Sequence, residues 1–361
     1  MLISAFITHK KAEHYSDCQD RFSINPDTKS IALSDGMSQS IFQKYWAEIL
    51  VESFTKNQDW EPNRESVKEL SSIWKTKVDE YIENQKREGK ATWRVERSLM
   101  DGHSAGATFL GIRFTGLNWE GSVLGDSCLV LVNDNQIKEI YSSEDVEVFD
   151  NYPDFFDSNP QKEGKGTPKQ ISGSLKRGDS LLLVSDPFSD FLLKNKGTAE
   201  EAILVDRLLG VNSPTEFEEV VEQWRNKGMH NDDSTLVIIK SDGTEDFTIL
   251  HEDNIQTLIE EEAAKINQSK ENEQTIQSEI ELMSPNAASQ GEEEDISIEE
   301  ESIQFDFHQI FDNVFFEDMK ATIYKELKIW ELLKLQRKQI TFSIAEEIQS
   351  LIHHTIRKKC Q

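Results

Sequence analysis

Six aspartates stand where strand-like stretches begin or end: Asp20 in QDRFSI, Asp35 in IALSDG, Asp126 in SVLGDS, Asp186 in LLLVSDP, and Asp232 and Asp233 directly before STLVIIK. Acids at the ends of strands in one sheet can converge on a single edge, and hard divalent cations such as Mg²⁺ and Mn²⁺ take such oxygen ligands. One acid in such a place also has a plain structural use. Asp is a favoured N-cap and Pro is favoured in the first helical turn, so LLLVSDPFSDF alone equally describes a strand handing over to a capped helix. Pro187 also biases the residue before it toward an extended backbone. Asp186 is a ligand or a cap, and the recurrence of acids at other strand ends favours the ligand.

Placing acids in this way needs strands. SIALSD, ATFLGIRF, WEGSVLGDSCLVLVN, DSLLLVSD and STLVIIK are rich in Val, Ile, Leu and Phe and are bounded by Gly, Asp or Asn. QSIFQKYWAEILVESF, SVKELSSIWKTKVDEYIENQKR, TAEEAILVDRLLG and SPTEFEEVVEQWRN carry apolar residues at helical spacing. Some strands follow one another with no helix between, as in ATFLGIRF and WEGSVLGD, which favours antiparallel pairing. The expectation for residues 1–240 is a layered α+β domain.

Charge divides the chain further. The formal net charge of −28 argues against nucleic acid as a partner, because phosphate contacts are made mainly by Lys and Arg. Residues 241–304 hold 19 Asp and Glu against two Lys and no aromatic residue beyond Phe247, too little apolar surface to offset chain entropy. Residues 305–361 are nearly balanced, with nine Lys and Arg against eight acids, and carry apolar residues at helical spacing such as Ile323, Leu327 and Trp330. The expected organisation is a domain over 1–250, an acidic linker over 251–304 and a helical module over 305–361 that docks a partner. Three scattered cysteines point to a reducing compartment, the N-terminal apolar stretch is too short for a signal peptide, and no apolar run approaches a membrane span. A cytoplasmic protein with no membrane span is expected.

Taken in order, QD at 19–20, SDGM at 34–37, SAGAT at 104–108, LGDS at 124–127, GDSLLLVSD at 178–186 and DDSTLV at 232–237 resemble the motif series of the PP2C-type metal-dependent protein phosphatases in their bacterial form. The resemblance covers about residues 3–240. It implies a four-layer α/β/β/α sandwich of two antiparallel sheets, with two Mn²⁺ or Mg²⁺ ions at one end and a weaker third in some members. It further implies that Asp35 bridges both ions, that the Gly36 carbonyl binds one, and that Asp186 and Asp232 hold the other. Asp20 supports the site through a water, and Asp126 with Asp186 matches the acids at the third ion. The activity implied is hydrolysis of phosphoserine or phosphothreonine on a protein by an ion-activated water, with no covalent enzyme intermediate. The substrate would be a phosphoprotein, and a kinase is a candidate partner.

Several positions depart from the family pattern. Tyr15, beside His14, stands where a phosphate-holding Arg is usual, which makes this pair the candidate substrate contact; Ser38 and Gln39, Cys128 and Pro187 replace two Gly, an Arg and a Gly. The alternative is therefore a pseudophosphatase that keeps the fold and binds phosphoproteins without turnover. GHSAG at 102–106 fits the GxSxG nucleophile elbow, but that elbow needs a strand before Ser104 and a helix after it, and the sequence suggests the reverse. KRGDS at 176–180 reads as a turn, His353 and His354 as surface residues on different helix faces, and KELKIWELLKLQRK as a packing helix.

Overall fold

The computed structural model describes residues 1–143, 153–162 and 164–268. A six-stranded sheet runs in the order β13 (Thr248–Glu252), β1 (Leu2–Thr8), β12 (Ser234–Lys240), β11 (Ser180–Val184), β7 (Cys128–Asn133) and β8 (Gln136–Tyr141). A five-stranded sheet runs β10 (Lys169–Ser174), β6 (Asn118–Leu124), β5 (Phe109–Thr115), β3 (Ser30–Ser34) and β2 (Arg21–Asn25). Neighbours are antiparallel except β1 and β13, which run parallel. A two-stranded pair joins β4 (Gly106–Ala107) to β9 (Phe156–Asp157).

Strands such as SLLLV and SIALS are buried at every residue, which places them in inner layers. Alternation assigns the two faces. Leu181 and Leu183 of β11 meet Ile3, Leu33, Leu110, Val237 and Ile239 in a core between the two sheets. Leu182 and Val184 meet Phe6 and Leu236 in a second core, with Phe188, Leu204, Phe217 and Trp224 from helices α4 (Asp186–Asn195), α5 (Glu201–Leu209) and α6 (Pro214–Arg225). On the far side, Ala32 and Phe109 pack with Trp46, Phe54, Trp74 and Val78 of α1 (Gln43–Lys56) and α2 (Arg64–Arg87). The result is the expected four-layer sandwich.

One local expectation changes, and one further helix is added. WEGSVLGDSCLVLVN is two strands in different sheets, and Gly125 turns the chain between them at φ 103°, a left-handed conformation that favours glycine. The stretch before SAGAT contains α3 (Trp93–Met100), whose periodicity is short and leaves no residue buried.

The fold also extends beyond residue 250. The Asp253 carboxylate accepts the Ile7 N–H at 2.9 Å, its N–H donates to the Ala5 carbonyl at 3.1 Å, and residues 255–268 are helical. From that helix Glu262 accepts the Tyr15 N–H at 2.9 Å and stands 3.1 Å from His14 Nδ1. The first part of the segment that charge assigned to the linker is thus tied to the loop after β1. The rest of that segment and the module at 305–361 lie outside the described residues.

A chain ending at residue 246 loses β13, Asp253 and Glu262 and is expected to melt several degrees lower than one ending at residue 268, since 1 kcal/mol shifts the midpoint of a domain this size by about 2–4 °C. Thermal unfolding of the two truncated chains checks this, and equal midpoints would show that residues 247–268 add nothing to the fold.

Candidate metal-binding site

Strand register brings the acids together. Thr8 pairs with Ser234, and Val184 pairs with Leu236 on one side and Cys128 on the other. Continuing these ladders by two residues sets Lys10 opposite Asp232, and Asp186 opposite both Ser234 and Asp126. Lys10, Asp232, Asp186 and Asp126 therefore line one end of four neighbouring strands. In the second sheet Arg21 pairs with Ser34, so Asp20 follows opposite Asp35 at the same end.

The backbone around Asp35 is clamped by SAGAT. The Asp35 N–H donates to Thr108 Oγ1 at 3.0 Å, the Thr108 N–H to the Asp35 carbonyl at 2.8 Å, and the Met37 N–H to the Gly106 carbonyl at 3.0 Å. These bonds flank Gly36, so its own carbonyl is not used in that ladder. Glycine is needed here for space: a Cβ at Gly36 would lie 2.9 Å from Gln43 Cγ, and one at Gly106 would lie 2.7 Å from Met37 Sδ.

Asp186 begins α4, but it is not the cap. Ser185 takes that place with extended φ −75° and ψ 172°, and no side chain caps the helix. The Ser185 hydroxyl is used elsewhere, accepting the Thr235 N–H at 2.9 Å. Pro187 lies within the first turn, so the extended residue at this junction is Ser185 rather than Asp186. The Asp186 carboxylate is thus released from capping.

The acids disturb one another. Burial first, and then Asp20, Asp186, Asp126 and Asp232, hold the Asp35 carboxyl well above its ordinary range. Burial, then Asp126, Asp232 and Asp20, do the same to Asp186. Burial and then Asp233 push Asp20 up to about 7. Among the described residues no three His, Cys, Asp or Glu side chains are already drawn into one ligand set.

A divalent cation fits this donor set on one particular observation. Asp20 is fully buried; its Oδ2 accepts the Thr235 hydroxyl at 2.7 Å, its Oδ1 receives no donor, and the Asp35 side chain is its neighbour. Two carboxylates cannot bond each other without a positive charge between them, whether a proton or a metal ion.

Other expected residues fall differently. Tyr15 is buried and its hydroxyl donates to Glu218 Oε1 at 2.8 Å; burial and then that carboxylate push its phenol up. A phosphate dianion approaching Tyr15 would meet Glu218, and His14 is exposed beside Glu262, so the phosphate contact expected of this pair has no support in the geometry. Ser104 follows a helix and precedes a strand, the reverse of a nucleophile elbow, and its hydroxyl lies 2.9 Å from Lys162 Nζ. The RGD is a turn in which Asp179 accepts the Lys176 N–H at 2.7 Å. Cys128, where the family has an Arg, is core.

One of the six aspartates takes a different role, and one residue escaped the sequence reading. Asp233 is buried and accepts the backbone N–H groups of Lys10 at 2.9 Å and Gln19 at 2.7 Å, fixing the loop over the site. Lys10 places its ammonium 2.9 Å from Asp232 Oδ1. Only the register of β1 against β12 reveals that proximity.

A family model described as Protein phosphatase 2C matches residues 10–281, and the chain belongs to that family. Among solved structures the chain is similar to the catalytic domain of the serine threonine protein phosphatase PstP in complex with 2 manganese ions (15% identity, 65% of this chain and 96% of that one, TM-score 0.42). It is also similar to PppA, a regulatory component of the T6SS in Pseudomonas aeruginosa (15% identity, 66% and 96%, TM-score 0.43), and to the S. agalactiae serine/threonine phosphatase (16% identity, 66% and 99%, TM-score 0.43). These likenesses are distant and concern fold alone. Among curated proteins none matches the chain.

The raised carboxyls fix a sign. Folded, they hold protons that the unfolded chain releases near its ordinary carboxylate range, so metal-free stability falls as pH rises from about 4 through about 7, the latter set by Asp20. A cation that takes the place of those protons restores it. Melting without metal is expected to occur at a higher temperature near pH 5 than near pH 8 as far as these groups contribute, and Mn²⁺ is expected to raise the midpoint more near pH 8. Differential scanning calorimetry with and without Mn²⁺ checks both, and a larger Mn²⁺ effect near pH 5 would count against a carboxylate site.

Proposed function

We propose that the chain hydrolyses phosphoserine or phosphothreonine esters on a protein, in a reaction that depends on two Mn²⁺ or Mg²⁺ ions. The observation that carries this reading is the convergence of Asp20, Asp35, Asp126, Asp186 and Asp232 at one end of the sandwich, each disturbed by the others or disturbing them. Asp35 would serve both ions, with the Gly36 carbonyl on one and Asp186 and Asp232 on the other, and Asp126 with Asp186 would hold a weaker third. Bound ions would neutralise the phosphoryl oxygens and make water nucleophilic at neutral pH.

The chain's own residues support this division of labour. A thiolate nucleophile is not on offer beside the site: Cys18 is buried, and burial followed by Asp233 holds its thiol well above the ordinary value. Asp20, bonded to Thr235 and neighbouring Asp35, is placed to hold or pass a proton there. Met37, two residues past Asp35, lines with Gln39, Ser40, His103 and Lys162 an open cleft of about 730 Å³ of mixed polar and apolar character, which can take a peptide segment. The module at 305–361 would recruit the phosphoprotein or a kinase, in the cytoplasm.

One observation favours a second reading. Tyr15 stands where the family places its phosphate-holding Arg and is paired with Glu218, which weakens phosphate capture and suits a phosphoprotein-binding pseudophosphatase. Turnover of a phosphopeptide and of a small aryl phosphate, with Mn²⁺, with Mg²⁺ and with chelator, separates the two. The phosphatase reading predicts metal-dependent release of phosphate, reduced about a hundredfold or more, equivalent to about 3 kcal/mol, by Asp35→Asn and by Asp186→Asn. A folded wild type with no metal-dependent turnover of either substrate would establish the binding reading instead.

A further inference from the structure

The acid cluster carries a cation of its own. Lys10 lies two residues past β1, where the antiparallel ladder with β12 continues toward Asp232, and its Nζ stands 2.9 Å from Asp232 Oδ1. The side chain is 17% exposed, and the ammonium also donates to Ser38 Oγ at 3.4 Å. Its backbone is pinned as well, because the Lys10 N–H donates to buried Asp233 at 2.9 Å. This is a built position rather than a surface lysine sampling solvent.

Nearby cations are used differently. Arg225 donates to the carbonyls of His9 and Asp232, Arg21 to those of Cys18 and Asp20, and Lys44 to that of Ser16. Those groups fix backbone; Lys10 neutralises a carboxylate of the site.

We propose that the Lys10 ammonium is a tethered cation at the Asp186–Asp232 position, so that the chain binds one divalent ion tightly at Asp35 and a second only by displacing Lys10. The inference rests on the metal-dependent reading of the site and refines its stoichiometry. The physical ground is competition for the same oxygen. A divalent ion entering at Asp232 must break a partly buried ion pair and leave the ammonium beside a doubly charged neighbour, which costs binding energy that the Asp35–Gly36 position does not lose. The tether makes the competitor permanent, since its effective concentration does not fall on dilution.

The test is Mn²⁺ binding to the full chain, by isothermal titration calorimetry and by the spin resonance signal of free Mn²⁺ after chelator treatment. Wild type is expected to bind one ion tightly and a second at least tenfold more weakly. Lys10→Met, which keeps the stem and removes the charge, is expected to bind two ions with affinities within a few-fold of each other, while Lys10→Arg keeps the wild-type pattern. Should Lys10→Met fail to fold by circular dichroism, Lys10→Gln carries the same expectation. Two equally tight ions in wild type, unchanged in Lys10→Met, would overturn the inference and leave the metal-dependent reading intact. No bound ion in any of these chains would overturn both.

Discussion

Like-charged carboxylates repel, and the end of this sandwich gathers five of them within reach of one another while holding Asp20 wholly away from water. Such a cluster persists only if rigid backbone fixes the groups and positive charge compensates them. Both conditions shape the surrounding structure. Strands buried on both faces set the positions from which the acids project, so the three apolar cores are what prevent the cluster from spreading. Thr108 locks Asp35 from the side, and Asp233 spends both carboxylate oxygens on the loop that carries Lys10 and Gln19.

Compensation explains the polar detail around the site. Protons, Lys10 and divalent ions are alternative answers to the same electrostatic problem, and burial with mutual repulsion raises the carboxyls of Asp20, Asp35 and Asp186. The helix at 255–268 belongs to this account. Through Glu262 it fastens the loop after β1, the loop from which Lys10 reaches Asp232.

Much of this was legible in the sequence because it is local. Apolar runs ending in acids, glycines where space is short, and the order of six motifs each reside within a few neighbouring residues. Asp186 illustrates the limit of such reading. Composition alone allows it a capping role, yet Ser185 takes the cap position, its hydroxyl and backbone both engaged by β12. What was not legible depends on residues far apart. Tyr15 meets Glu218 across 203 positions, Lys10 meets Asp232 through strand register, and Asp253 reaches Ile7 across 246 positions. The stretch WEGSVLGDSCLVLVN looked continuous because both halves are strands, and only the left-handed Gly125 shows that the chain changes sheet there.

The central claim is that this end of the sandwich is built around a divalent cation. Anomalous X-ray diffraction from crystals of the protein grown with Mn²⁺ addresses it directly. The account predicts an anomalous peak bonded to the Asp35 carboxylate, between the ends of the two sheets. Peaks confined to the acidic surface, with none at Asp35, would contradict it.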